Sequence, residues 1–157
     1  MSHSTRATQF LKAQGVSFTL KSYAYDPEAE RIGLAAAEAM GVAPERVLKT
    51  LMAKVDGKPV CAILASDREA SMKKLAAAFG GKTAEMMKPA EAERLTGYVV
   101  GGISPFGQKK AVPAVLDAAA LAHPSVILNG GQRGLQVELA PQEIVRVLKA
   151  VAVAISA

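Results

Sequence analysis

Lys49 is the residue whose type and surroundings point most directly to chemistry. It lies in the run Val47-Leu48-Lys49-Thr50-Leu51-Met52-Ala53, and strand alternation places it on one face with Val47, Leu51, Ala53 and Val55. An ammonium among apolar neighbours is costly to bury unless it meets an acceptor or opens onto a pocket. Two readings follow. The lysine lays its stem along a sheet edge and keeps its charge in water, or it faces a pocket and awaits a phosphate, carbonyl or carboxylate.

A second candidate is the run Tyr98-Val-Val-Gly-Gly-Ile-Ser-Pro-Phe-Gly-Gln-Lys-Lys110. Adjacent glycines after a short apolar segment let backbone N–H groups approach a ligand closely. Ser104 offers a hydroxyl, Pro105 stiffens the loop, and Lys109 with Lys110 adds charge for phosphate. The spacing is not that of a Walker loop, and an ordinary bulged turn with solvated lysines fits the residues equally well. A third candidate, Asn129-Gly-Gly-Gln-Arg-Gly134, holds Arg133, whose planar fork suits a phosphate or carboxylate.

Other reactive types argue by absence. His3 is terminal and His123 precedes Pro124, so no histidine pair stands at metal-ligand spacing, and neither metal nor cofactor is expected. The single cysteine, Cys61, falls in Pro59-Val-Cys-Ala-Ile-Leu64, where a small apolar core role is the default. No Gly-x-Ser-x-Gly elbow is present, and the acids are scattered. An enzyme built from these residues works by positioning and electrostatics, without a protein nucleophile.

These groups need elements to hold them. Ser4 to Gly15 reads as an amphipathic helix and Val16 to Tyr23 as a half-buried strand. Asp26-Pro27 opens an acidic loop, Gly33 to Met40 is helical, and Pro44 begins a short turn. Arg46 to Val55 and Pro59 to Ala65 flank Asp56-Gly57, the strongest hairpin signal in the chain. Ser71 caps a helix through Phe79, and Pro89 to Leu95 forms another, stopped by Gly97. Brief strands are predicted at Tyr98 to Val100, Val112 to Leu116, Ser125 to Asn129 and Leu135 to Leu139. Pro141 opens a last helix to about Val151, with the apolar tail Ala150 to Ser156 continuing it. The interleaving lacks a strict βαβ rhythm, which predicts an α+β fold with a mixed, barrel-like sheet surrounded by helices. One domain over 1–157 is expected.

Composition sets the bounds. The 157 residues are half apolar, enough for a core, and carry a net charge of +5 from 19 basic and 14 acidic residues. That balance leans towards an anionic partner without the density of a basic arm. With no tryptophan and 4% aromatics, a stacking platform for single-stranded bases is poorly supplied. A signal sequence or membrane span is not expected, so the reading is cytoplasmic.

Taken in order, Val47-Leu-Lys49-Thr50-Leu51, Thr96 to Lys110 and Gly130-Gly-Gln-Arg-Gly-Leu135 resemble the YbaK/EbsC family of free-standing aminoacyl-tRNA deacylases. These are relatives of the editing domain in bacterial prolyl-tRNA synthetases. The resemblance implies hydrolytic removal of a wrongly attached amino acid, typically cysteine from tRNA-Pro. It implies that Lys49 is the essential pocket lysine and that Gly101, Gly102 and Ser104, with Ile103 and Pro105, hold the aminoacyl carbonyl. Tyr23, Ile32, Thr50, Arg133 and Gln136 are then substrate-binding. Gln136 stands where relatives often carry an acid, and Ile32 where a close relative has an aromatic residue; both bear on which amino acid is preferred. The implied partners are the acceptor end of mischarged tRNA-Pro and prolyl-tRNA synthetase, with neither membrane nor DNA. In the family mechanism the substrate's own thiol attacks its ester. A deacylase for alanyl or other small aminoacyl esters, or a non-catalytic tRNA- or synthetase-binding module, are the competing readings.

Overall fold

The computed structural model describes residues 4–25, 28 and 32–157, with Ile32 described by its backbone alone. The Asp26-Pro27 loop and the Ile32 side chain therefore lie outside the described residues. Thr5 opens helix α1 (Arg6–Ala13) through a capping box in which Thr5 and Thr8 bond each other's backbone N–H, meeting two donors that a helix start leaves orphaned. Strand β1 (Thr19–Ser22) follows, then α2 (Ile32–Met40) and a 3-10 turn at Pro44–Arg46. Strands β2 (Leu48–Val55) and β3 (Lys58–Ala65) form the expected hairpin. Asp56 and Gly57 at its tip both take positive φ, 49° and 81°, as a turn matched to strand twist requires.

Ser71 caps α3 (Met72–Ala78) by accepting the Lys74 N–H. Next come β4 (Ala84–Met86) and α4 (Pro89–Thr96), which Gly97 ends in the left-handed conformation. Strand β5 (Ala114–Asp117), a 3-10 segment at Ala118–Ala122, β6 (Val126–Gln132), β7 (Leu135–Leu139), α5 (Pro141–Leu148) and β8 (Val151–Val153) complete the order.

The strands make two sheets, an antiparallel one ordered β1-β7-β6 and a mixed one ordered β4-β2-β3-β5-β8. A parallel bridge between Val47 and Ile127 joins them. The α+β expectation stands, but the barrel-like sheet proves to be two sheets that meet rather than a closed barrel. The larger sheet is buried on both faces. Leu48, Met52, Cys61, Ile63 and Leu116 pack with Leu11, Leu128, Val137 and Ile144; Ala53, Val55, Val60, Ala62, Leu64 and Val115 pack with Leu75, Ala76 and Ile155. Burial on both sides explains why β3 reads as a continuous apolar run.

Two sequence expectations change, and one strand was not anticipated. The tail after α5 is strand β8, parallel to β5: Lys149 takes the left-handed C-cap position, and the β-branched Val151 and Val153 suit an edge strand. Tyr98 to Val100 is loop, not strand, because its polar groups are spent locally. Thr96 Oγ1 accepts the Tyr98 N–H, and Glu93 Oε2 accepts the Val100 N–H. Strand β4 is too short for its pattern to announce it.

Glu138 on β7 ties three elements. Its carboxylate accepts from Ser125 Oγ at 2.6 Å and Arg46 Nη2 at 2.9 Å, and faces Lys21 Nζ at 3.5 Å. The Ser125 hydrogen bond, outweighing partial burial and assisted by both cations, holds its pKa below the ordinary glutamate value. A depressed carboxyl stabilises the fold above its unfolded pKa, and that stabilisation is lost as pH falls through the folded one. The Tm deficit of Glu138→Gln is therefore expected to be full at pH 7 and to disappear at acid pH, as thermal melts across pH 3 to 7 would show.

Candidate active site

Where β2 begins, the chain leaves a cleft of about 370 Å3. Lys49, Thr50 and Leu51 form its floor from β2, Tyr23 enters from the segment after β1, and Asn129 and Gln136 come from β6 and β7. Val100, Gly101 and Ile103 close one side, while Gly33 and Ala36 of α2 close another. Gly33 permits this wall: a Cβ there would stand 2.6 Å from Ser66 Cβ, so any side chain would lift α2 off the end of β3.

The fold thus brings Tyr23, Lys49, Thr50, Gly101, Ile103 and Gln136, from segments up to more than a hundred positions apart, to one cavity. Two hydroxyls in it are notable. Tyr23 Oη and Thr50 Oγ1 are buried, and among the described residues neither has a hydrogen-bond partner. Burial raises the Tyr23 pKa above the ordinary phenol value, with the nearby Gln136 amide acting in the opposite sense. That amide lies beside the phenol but outside hydrogen-bond geometry. A buried unsatisfied hydroxyl costs about 1–3 kcal/mol, a cost removed once a ligand supplies the missing partner.

Other predicted residues stand behind the cavity wall. Ser104 is fully buried; its Oγ accepts the Phe106 N–H at 3.1 Å, and its carbonyl accepts from Gln108 Nε2 at 3.0 Å. Its hydroxyl folds the loop and does not reach into the cleft. Pro105 is likewise buried and outside the lining. The Gly102 N–H donates to Val99 O at 2.8 Å, so it is committed within the turn and does not serve as a carbonyl donor. Arg133 lies outside the cleft lining and holds the neighbouring loop. Its Nε donates to Val100 O at 2.9 Å, and its guanidinium lies 5.2 Å from the Tyr25 ring centre. Tyr25 in turn packs against Gly101, whose φ of +90° no ordinary residue adopts cheaply.

Asn129 and Ser66 are pocket residues that sequence reasoning missed. Ser66 Oγ donates to Pro44 O at 2.9 Å and its N–H to Val47 O at 2.8 Å, pinning the end of β3. Asn129 opens the third glycine-rich motif, and its signal is an Asn before Gly-Gly, a residue that bonds backbone two positions on.

Cys61 is 2% exposed on β3, and burial pushes its thiol up to about 12. At that value it is neither a nucleophile nor a redox group. Cys61→Ala is expected to leave the activity proposed below unchanged, and N-ethylmaleimide is expected not to inhibit the wild-type protein; loss of turnover in the purified variant would contradict this. Among the described residues, no group of three His, Cys, Asp or Glu could hold a metal ion. A second cavity of about 540 Å3 lies at the far end of the β2–β3 hairpin, rimmed by Lys58 and Lys110, and contains none of the predicted site residues. None of the described helices is long and apolar enough to cross a membrane.

The family model for the aminoacyl-tRNA editing domain matches residues 26–147. The chain belongs to that family. Within it, this editing domain is 42% identical over 110 residues to a protein of Enterococcus faecalis provisionally named Cys-tRNA(Pro)/Cys-tRNA(Cys) deacylase EbsC, covering 69% of this chain and 66% of that one. It is 33% identical over 116 residues to the multifunctional Ser/Thr-tRNA deacylase ProXp-y of Escherichia coli, covering 71% and 67%. The matched region thus spans about two thirds of each relative. A solved structure provisionally described as a trans-editing enzyme for prolyl tRNA synthetase superposes with a TM-score of 0.83 at 22% identity, covering 100% of this chain and 98% of that one. That likeness bears on the fold alone.

Proposed function

We propose that this editing domain is a trans-editing hydrolase that deacylates mischarged tRNA-Pro, with Cys-tRNA(Pro) as its principal substrate. The observation that carries the reading is the cleft itself. Lys49, the Gly101 turn and two unpartnered buried hydroxyls converge on it, yet the protein's only thiol is buried elsewhere. An aminoacyl ester is already activated, so such a site need only hold the carbonyl and stabilise the charge that develops on it. The reactive thiol then comes with the substrate. It attacks the cysteinyl carbonyl, the carbon–oxygen bond to the ribose breaks, and the thiol proton passes to the departing ribose oxygen. Water then opens the resulting thiolactone to free cysteine.

Within this scheme Lys49 neutralises charge at the ester and the terminal nucleotide, and Gly101 with Ile103 borders the acyl group. Tyr23, Thr50 and Gln136 offer neutral hydrogen bonds to its amino end. The similarity to a protein named for Cys-tRNA(Pro) supports the amino acid and the tRNA, and prolyl-tRNA synthetase is the natural partner to present them in the cytoplasm. The similarity to a Ser/Thr-tRNA deacylase favours a second reading, in which the neutral polar lining accepts a hydroxyl side chain.

A deacylation panel with Cys-, Ala- and Ser-charged tRNA-Pro, following loss of labelled amino acid, tests both. Preferential loss of cysteine is expected. Stable Cys-tRNA(Pro) beside rapid loss of serine or alanine would transfer the assignment to that ester. Stability of all three would leave a binding module and overturn the hydrolase reading.

A further inference from the structure

We propose that Asn129 is a positioning residue for ester cleavage, its carboxamide fixing the Gly101–Gly102 peptide at the pocket wall. The proposal rests on the hydrolase reading above. Asn129 sits on β6 at an irregularity of the β6–β7 ladder, directly opposite Gln136. Its Oδ1 accepts the Gly131 N–H at 2.6 Å and the Gln132 N–H at 3.2 Å, and its Nδ2 donates to Gly101 O at 3.1 Å. This orientation is set by chemistry, since only the carbonyl oxygen can meet two N–H donors and only the amino group can meet a carbonyl.

The restraint matters because of what it restrains. A peptide between two glycines can turn over at little steric cost, and turning it would displace Gly101 and Ile103, which line the cleft on either side of it. Here the peptide is held at both ends, its C=O by Asn129 and its N–H by Val99 O. The preceding peptide is held likewise, its C=O by Arg133 Nε. A trans peptide directs N–H opposite to C=O, so the Gly101 N–H points away from Arg133 and the β6–β7 turn. Two side chains of one glycine-rich turn therefore set the orientation of the other. Asn129, which itself lines the cleft, is the one placed to do so from inside.

Asn129→Asp separates this role from a structural one. Aspartate keeps an oxygen for the Gly131 and Gln132 N–H groups, so the β6–β7 turn persists, but it presents a second oxygen to Gly101 O in place of a donor. Amide hydrogen exchange is expected to quicken at Gly102 while Gly131 and Gln132 stay protected. On Cys-tRNA(Pro), kcat is expected to fall about 10- to 100-fold, with KM little changed, as for a small displacement at the reacting centre. Asn129→Ala should lose protection at all three amides. Wild-type turnover and a protected Gly102 in Asn129→Asp would overturn the proposal, since a residue that only folds the β6–β7 turn predicts that result. Wild-type protein that deacylates none of the panel would instead refute the hydrolase reading, and with it the catalytic half of this proposal, while exchange at Gly102 still decides whether Asn129 holds the peptide.

Discussion

Replacing Lys49 with alanine is expected to lower kcat/KM for Cys-tRNA(Pro) by about two orders of magnitude or more, the range found for removing one preorganised electrostatic contact, with little loss of fold. Two orders correspond to about 2.7 kcal/mol of transition-state stabilisation. Both halves of the expectation come from the strand. Leu48 and Met52 on one side of β2 belong to the main core, and Ala53 and Val55 on the other belong to the second. Lys49 itself is only half-buried and lines the cleft, so truncation opens no core cavity. What it removes is a positive charge at the point where an ester oxygen and a terminal phosphate would sit. Single-turnover deacylation with a thermal melt of the same preparation checks it. Lys49→Met serves as a second variant, keeping the length of the stem without the charge. Turnover at the wild-type rate in both would remove Lys49 from the mechanism.

Much of this site was legible before any coordinates, for reasons that differ by residue. Lys49 was visible because a charge in an alternating apolar run is costly unless it opens onto something, and the cleft is where it opens. Gly101 was visible because two glycines in succession are rarely needed without a close approach or a positive φ, and here it has both. Ser104 misled because a hydroxyl in a glycine-rich loop has two uses, and sequence spacing does not separate one facing a ligand from one accepting Phe106 N–H. Arg133 lies outside the lining, and what holds it there was hidden in the same way. Its bond to Val100 O and its stacking on Tyr25 are made between segments distant in sequence, and no local pattern encodes them. The fold shows the same division. Hairpin, caps and helix starts are local and were readable from Asp56-Gly57, Ser71 and Pro141. Strand β8 was not, because an apolar tail after a helix is a strand only if an open sheet edge lies within reach, and β5 supplies it.

Gly102→Ala is expected to be as damaging as the loss of Lys49, by a steric route. Gly102 does not take a positive φ, so alanine costs nothing in backbone conformation. The damage lies in what the methyl group meets. A Cβ at 102 would stand 2.9 Å from Arg133 N and 3.1 Å from Gln132 C, and backbone of a paired turn cannot swing aside as a side-chain tip can. Gly101→Ala makes the informative contrast. It meets Tyr25 Oη at 2.5 Å, a phenol that can move, but it bears the strain of φ at +90°. Overpacking of the Gly102 kind costs about 1–3 kcal/mol in stability, and separating the two glycine-rich turns pulls Asn129 and Arg133 from the carbonyls they hold. At a temperature well below its melt, Gly102→Ala should therefore show kcat reduced about 100-fold, the penalty of an ångström-scale misplacement, with a Tm lowered by about 2–12 °C. A variant with that lowered Tm but full activity would mean that the seam between the turns stabilises the fold without aligning the site.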